Sequence, residues 1–310
     1  MFFGSGPHAL FDPATSKGRP DRVAPLTSLI ESFCAEFPLS DFAGGGRARV
    51  EYQSLRLETA DTNDGKELSA LTRSLTARLA NGLLERGVMR AAYDSAATTL
   101  AANLHVLFVD GMHAYVGASV APWASPWLMG IPRLRMPGSA PSRSTLKLAE
   151  ALVAFLGDRE SKLMRAGMRA VDLGAAPGGW TWQLAHRGLS VTAVDNGPLK
   201  GIVAQNPLVK HLRLDGLTYV PKRPVDWMVC DIVEQPARIA TLVARWIGEG
   251  HARHAIFNLK LPMKKRYEET MHCKEIIEDR LQQARIAYRI SLRQLYHDRG
   301  EVTGFVERIN

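Results

Sequence analysis

The stretch Val171-Asp-Leu-Gly-Ala-Ala-Pro-Gly-Gly-Trp-Thr-Trp-Gln183 constrains the fold of this chain more than any other. An apolar, β-branched run from Arg169 to Leu173 stops at a glycine-rich turn, and an amphipathic pattern resumes at Trp180. The order is a strand, a tight loop and the first turn of a helix. Gly174, Gly178 and Gly179 have no Cβ, so the backbone there can take positive φ and let a ligand come close. Such a loop lies at the carboxyl end of a strand and the amino end of a helix, where open α/β sheets bind nucleotide-like ligands.

The pattern around the loop extends the same argument. Strands are predicted at 169–174, 190–195, 211–214, 226–231 and 254–259, with helices near 179–187, 236–248 and 264–285. A helix over 144–156 precedes them, with Ser144 as its N-cap. Strands near 288–296 and 301–308, separated only by 297–300, read as a closing antiparallel hairpin. Alternating β and α units predict an α/β fold: a Rossmann-like, mostly parallel sheet covered on both faces, with that hairpin at its C-terminal end.

The first half differs in composition. Residues 1–50 carry Gly44-Gly-Gly46 and scattered prolines and are expected to be poorly defined. Arg49-Val-Glu-Tyr52 and Leu55-Arg-Leu57 alternate like strands, and 66–84 has helical spacing. Leu104 to Val109 and His113 to Gly117 form a hairpin across Asp110-Gly-Met112. Residues 51–121 are therefore a small α+β module, 122–142 a Pro/Trp/Gly-rich basic linker with Arg133 and Arg135, and 143–310 the second domain.

Charge and cysteine content narrow the class. A net charge of +8 points to a polyanionic partner. Cys34, Cys230 and Cys273 are odd in number and widely spaced, which argues against a disulfide framework or a metal site and fits a reducing cytoplasm. The N-terminal residues lack a basic region followed by a long apolar one, so no secretory signal is expected, and no run is long and apolar enough for a membrane span.

Three consecutive strands end near an aspartate: Asp195, Asp215 and Asp231. An acid roughly 20 residues past the first glycine accepts hydrogen bonds from ribose hydroxyls in nucleotide-binding sheets. The loop reads G-A-A-P-G-G rather than the dinucleotide fingerprint G-x-G-x-x-G, which weakens a pyrophosphate reading. S-adenosylmethionine has no phosphate and suits acids along the sheet edge with backbone groups in the loop. On the loop alone both cofactors stay open.

D-L-G-A-A-P-G-G-W resembles the first motif of FtsJ-type ribose 2′-O-methyltransferases. Those enzymes carry a Lys-Asp-Lys-Glu tetrad, and the matching positions here are Lys147, Asp231, Lys260 and Glu301. Longer strings resemble the bacterial 23S ribosomal RNA 2′-O-methyltransferase M family: 126–133, 140–147, 194–198, 258–269 and 293–299. The similarity is strong over 120–310. It continues more weakly through 61–68 and the 104–117 hairpin, which resemble that family's THUMP RNA-binding domain. The resemblance implies S-adenosylmethionine as cofactor. Its candidate contacts are Ser144, Gly174, Ala176, Pro177, Gly178, Gly179, Asp195, Asp215 and Asp231, with Ala176 where the family often has cysteine. It further implies a cytoplasmic enzyme, monomer or weak dimer, acting on a cytidine of protein-free 23S rRNA or an early precursor.

The tetrad also makes chemical sense by itself. A ribose 2′-hydroxyl is a weak nucleophile, so the enzyme must align it with the methyl group and help remove its proton. Lys260 is the candidate base, which needs a lysine pKa below the ordinary ~10.4. Burial and Lys147 would lower it, while Asp231 and Glu301 would raise it. Lys147 and Glu301 are assigned to orienting the hydroxyl or Lys260, and Asp231 to the cofactor and lysine sides together. Trp180, Trp182 and Cys230 read as packing residues, His297 as structure or RNA contact, and Lys264-Lys-Arg266 as a solvated helix start or a phosphate contact. Two other readings are a catalytically silent RNA-binding or ribosome-assembly factor and a nicotinamide-dependent dehydrogenase.

Overall fold

The computed structural model describes residues 6–12, 20–39, 49–90, 99–120 and 124–309. The chain forms two compact units, Met1–Ile131 and Pro132–Asn310.

In the first unit β1 (His8–Ala9), α1 (Val23–Glu36), β2 (Arg49–Thr59), α2 (Asn63–Glu67), α3 (Ser69–Glu85), β3 (Thr99–Phe108) and β4 (His113–Val120) follow in order. The sheet order is β1-β4-β3-β2, with β2 parallel to β3 and the other pairs antiparallel. Alternation along β3 turns Leu104, Val106 and Phe108 inward. They pack with Leu26, Ile30 and Phe33 of α1 and Leu75, Leu79 and Leu83 of α3. Asp110 closes the β3–β4 turn by accepting the N–H groups of Met112 and His113.

Three expectations change here. Residues 23–36, expected to be poorly defined, are a helix whose buried residues recur at intervals of four and three. Pro25 obscured it in the sequence, but a proline in the first turn removes only an N–H that has no intrahelical partner. The two short strands at 49–57 are one strand, interrupted by a register shift between Tyr52 and Ser54 that breaks the alternation. The helix predicted over 66–84 begins at Asn63 and breaks at Leu68, with Thr62 capping α2 through the Gly65 N–H.

The second unit contains α4 (Ser144–Phe155), α5 (Glu160–Leu163), β5 (Arg169–Leu173), α6 (Gly179–His186), β6 (Ser190–Val194), β7 (Val209–Leu212), β8 (Val225–Cys230), α7 (Pro236–Gly248), β9 (Ala252–Lys260), α8 (Arg266–Gln283), β10 (Tyr288–Arg293) and β11 (Glu301–Arg308). Its sheet runs β10-β11-β9-β8-β5-β6-β7. Strands β5 to β9 are parallel, and β11 is antiparallel to both β9 and β10. One core layer packs α7 and α8 on the sheet, and the other packs α4 and α6 on the opposite face. Trp180 and Trp182 are buried. Cys230 is buried too, and burial pushes its thiol up to about 12, leaving it an inert packing group.

Three boundaries differ from expectation, the first being β10, which ends at Arg293 rather than near 296. Ser144 is the first helical residue of α4 rather than its cap; Arg143 is the N-cap and makes no side-chain capping bond. Strand β7 ends at Leu212, so Asp215 stands in the following loop and not at a strand end.

Candidate active site

The glycine turn after β5 is built as its residues require. Gly174 takes φ +77° and Gly178 φ +114°, conformations that L side chains rarely adopt. A Cβ on Gly174 would lie 2.7 Å from Ile232 Cγ1, so the bare backbone makes room for the β8–α7 loop. Gly179 opens α6 directly against the start of α4: a Cβ there would come 2.2 Å from Ser144 Oγ. Ser144 Oγ in turn shares a 2.7 Å hydrogen bond with Ser142 Oγ.

A cleft of about 250 Å³ lies at the carboxyl ends of β5, β6 and β8. Among the candidates, Gly174, Ala176, Asp195, Asp215 and Asp231 line it. Pro177, Gly178, Gly179 and Ser144 do not; they shape the turn and its packing on α4 instead. The Pro177 carbonyl accepts the Lys200 N–H at 2.9 Å. Asp195 braces the turn, its Oδ2 accepting the Ala176 N–H at 3.0 Å and its Oδ1 the Gly197 N–H at 2.7 Å. Asp215 Oδ1 accepts the Leu217 N–H, which fixes its loop. Val194 and Asn196, from the family-like string 194–198, line it too, and Leu214, Gly216, Ile232 and Val233 complete the lining without having been singled out in the sequence.

The chemistry of this lining discriminates between cofactors. It holds three carboxylates and no lysine or arginine among the described residues. A pyrophosphate would meet repulsion there, whereas a cationic sulfonium and ribose hydroxyls would find acceptors. The residues fit S-adenosylmethionine.

Beside the cleft, four charged side chains close into a ring. Lys147 Nζ lies 3.1 Å from Glu301 Oε2, Lys260 Nζ 2.5 Å from Glu301 Oε1 and 2.9 Å from Asp231 Oδ1, and Asp231 Oδ2 returns to Lys147 at 3.7 Å. Asp231 follows β8 directly, Lys260 ends β9, Glu301 begins β11 and Lys147 comes from α4. Glu301 and Lys260 are register partners across the antiparallel pair. The pair two residues further along that register, on the same face, contributes too: Thr303 Oγ1 donates to Asn258 Oδ1, and Asn258 Nδ2 donates to Asp231 Oδ1 at 3.0 Å.

Two further acids escaped the sequence reading. Asp298 Oδ2 lies 2.5 Å from Lys147 Nζ. Glu150, buried on α4, accepts the N–H groups of Tyr296 and His297 at 2.8 Å each and meets His297 Nδ1 at 2.6 Å. His297 is thus bound to a structural carboxylate. Glu150 lies three residues after Lys147, on the same helix face. Its spacing from Lys147 was visible, but its partner turn was not.

The charge balance settles the state of the lysines. Burial disfavours the ammonium on Lys260, yet the attraction and hydrogen bonds of Asp231 and Glu301 outweigh it and raise its pKa. Lys147 moves the same way: burial opposes its charge, and Asp298, Asp231 and Glu301 overcome it. The lowered pKa required of a base at Lys260 is therefore absent in this state, because two carboxylates within hydrogen-bonding distance exceed the effect of burial. Burial also opposes ionisation of Asp298, but Lys147 holds its carboxyl below the usual range.

A mostly parallel sheet with a glycine turn, an acidic cleft and an adjoining Lys-Asp-Lys-Glu ring defines an FtsJ-like methyltransferase, and residues 140–247 match the family of that description. Residues 21–120 match the family described as ribosomal RNA large subunit methyltransferase M, N-terminal. The ribosomal RNA large subunit methyltransferase M of Methylococcus capsulatus (strain Bath) is 52% identical over 88% of this chain and 74% of its own length. The protein of the same name from Azoarcus sp. (strain BH72) is 52% identical over 87% and 72%, and that of Pseudomonas fluorescens (strain Pf-5) 47% identical over 91% and 74%. The chain belongs to the ribosomal RNA large subunit methyltransferase M family.

Proposed function

We propose that this chain transfers a methyl group from S-adenosylmethionine to a ribose 2′-hydroxyl of large-subunit ribosomal RNA, at a cytidine of the 23S molecule. The observation that carries this reading is the position of Asp231, which lines the acidic cleft and also forms one corner of the charged ring. Methyl donor and acceptor hydroxyl thereby meet at one carboxylate.

The cofactor supplies a methyl group already activated on a sulfonium. Gly174, Ala176, Asp195, Asp215 and Asp231 hold it in the cleft, and the ring handles the hydroxyl. Lys147 and Glu301 orient the 2′-oxygen and Lys260, and Lys260 takes the proton. Because Lys260 is an ammonium in the resting site, held so by Asp231 and Glu301, it first gives up a proton to solvent. Any cation held in the cleft draws on Asp231 and weakens its grip on the Lys260 charge. Alignment by the ring is the larger contribution; a positioned base adds about 10²–10⁴-fold.

The first unit serves as a THUMP-like RNA-binding module over 51–121, joined by the basic stretch 122–142 to the catalytic domain at 143–310. The enzyme works in the cytoplasm as a monomer or weak dimer on protein-free RNA or an early precursor. No helix among the described residues is long and apolar enough to cross a membrane.

The test is a mass-spectrometric map of ribose methylation in rRNA from cells with and without this protein, repeated with the purified chain and labelled cofactor. Loss of one 2′-O-methylcytidine from 23S rRNA, restored in vitro, is the expected result. An unchanged map, or a methyl group on a base, overturns the reading.

A further inference from the structure

A cavity of about 350 Å³ opens in the first unit, on the face of the β1–β4 sheet opposite α1 and α3. Alternation places Arg56 and Glu58 of β2, His105 and Leu107 of β3 and Ser119 of β4 on that face. A hydrogen-bond chain crosses three strands beneath it. Ser54 Oγ donates to Asn103 Oδ1 at 2.6 Å, Asn103 Nδ2 donates to Ser119 Oγ at 3.2 Å, and Ser119 Oγ meets His105 Nε2 at 2.7 Å. His105 Nδ1 meets Glu58 Oε2 at 2.8 Å, and Glu58 Oε1 accepts the Met129 N–H at 2.6 Å.

Burial opposes the charge on Glu58, but His105, the Met129 N–H and Arg56 hold its carboxyl below the usual range. An ionised Glu58 can only accept at its contact with His105, so Nδ1 of that ring is the donor.

The Ser-His-Glu order has the connectivity of a hydrolytic triad. Its surroundings do not support that chemistry. Ser119 lies within β4 opposite Asn103, and the Asn103 amide already donates to its Oγ. The network therefore serves binding.

We propose that this cavity takes a guanine base of single-stranded RNA, with Trp127 against its face and Glu58 on its Watson–Crick edge. The proposal rests on the RNA-substrate reading above. A carboxylate has about four lone-pair positions. His105 and Met129 use one on each oxygen, which leaves one on each. Guanine presents two adjacent donors, N1–H and N2–H, to match them. Adenine, cytosine and uracil each set an acceptor beside the donor on that edge, which a carboxylate repels. The walls are Leu107, Trp127 and Met129, and Trp127, Leu128 and Met129 remain 39%, 47% and 38% exposed. An apolar slot with a polar floor is how unstacked RNA bases are read. Arg56, two residues from Glu58 on the same face, supplies a cation for the phosphate at the rim.

The experiment titrates the full chain with uridine hexanucleotides carrying a single G, A or C, following tryptophan fluorescence. The G-containing strand is expected to bind about tenfold tighter than the others, and E58Q to abolish that preference, since an amide presents a donor to guanine. W127A should weaken all three strands about tenfold through lost stacking and remove the quench. Should E58Q melt early, W127A carries the test, because Trp127 is half-exposed and outside the hydrogen-bond chain. Equal binding of the three strands, a G preference surviving E58Q, or affinities unchanged by W127A overturns the proposal. Methylation of rRNA by the same preparation is measured alongside. Methylation without a G preference defeats the pocket alone, and a G preference without methylation defeats the function and leaves the pocket standing.

Discussion

Lys260 stands between two carboxylates that keep it charged, and its role depends on losing that charge. Its stabilising ion pairs are fully present below the ordinary lysine range and are lost as pH climbs through its raised pKa. Turnover should run the opposite way, rising with pH above 8 as the neutral amine becomes populated. A rate profile already level at pH 6.5 would remove Lys260 as the base. Lys260→Ala should abolish methyl transfer to protein-free rRNA while cofactor affinity, measured by calorimetric titration, changes little; retained turnover would sink the assignment. Asp172 offers a second residue-scale test. It is fully buried, accepts a hydrogen bond from Thr181 Oγ1 at 2.6 Å on one oxygen and has no hydrogen-bond partner on the other among the described residues. Burial, with the nearby charges of Asp231 and Asp195, pushes its pKa up to about 7 from 3.8. Between those values the folded chain binds more protons than the unfolded one, so stability falls as pH rises, by about 1 kcal/mol per pH unit. Asp172→Asn should flatten that slope in melts between pH 4 and 7; an unchanged slope would place the titration elsewhere.

At the scale of elements, α4 and the turn before β11 work as one piece. Lys147 and Glu150 on one helix face hold three successive residues of that turn, Tyr296, His297 and Asp298. The turn leads directly into Glu301, so the clamp sets where a ring carboxylate stands. Glu150→Ala leaves two backbone N–H groups without their acceptor and should cost about 2–4 kcal/mol of stability. At temperatures where the variant remains folded, kcat should fall at least about tenfold, a loss of about 1.4 kcal/mol at the transition state, with cofactor affinity unchanged. A variant that melts early but turns over normally would reduce Glu150 to a stabilising role. Most of the elements were legible beforehand, because β5, α6, α7 and β11 follow plain apolar periodicity. Misses occurred where a local device interrupts the period: Pro25 at the start of α1, the register shift at Tyr52/Ser54 in β2 and the break at Leu68 between α2 and α3.

For the whole molecule, the two units have separate cores, one built on α1, α3 and β2 to β4, the other on the two faces of the seven-stranded sheet. Residues 132–310 alone should melt cooperatively and bind S-adenosylmethionine like the full chain. KM for rRNA should rise at least about tenfold, with the dependence of binding on salt reduced as phosphate contacts are lost. Equal KM for fragment and full chain would show that the first unit contributes nothing to substrate capture.

The sequence by itself determined the strand–loop–helix unit at 171–183, the order of strands and helices around it and the residue types that carry the chemistry. These are local properties: glycine at positive φ, periodicities of 2 and 3.6, and charged residues placed where strands end. Only the tertiary structure decided that Glu301 lies in register with Lys260, that Asp298 and Glu150 join the site through a turn far along the chain, that Asp215 stands beyond its strand, and that Lys260 rests as an ammonium. Register and charge state are sums over neighbours distant in sequence, and for Lys260 the outcome depended on whether burial or two carboxylates dominated once the strands had paired.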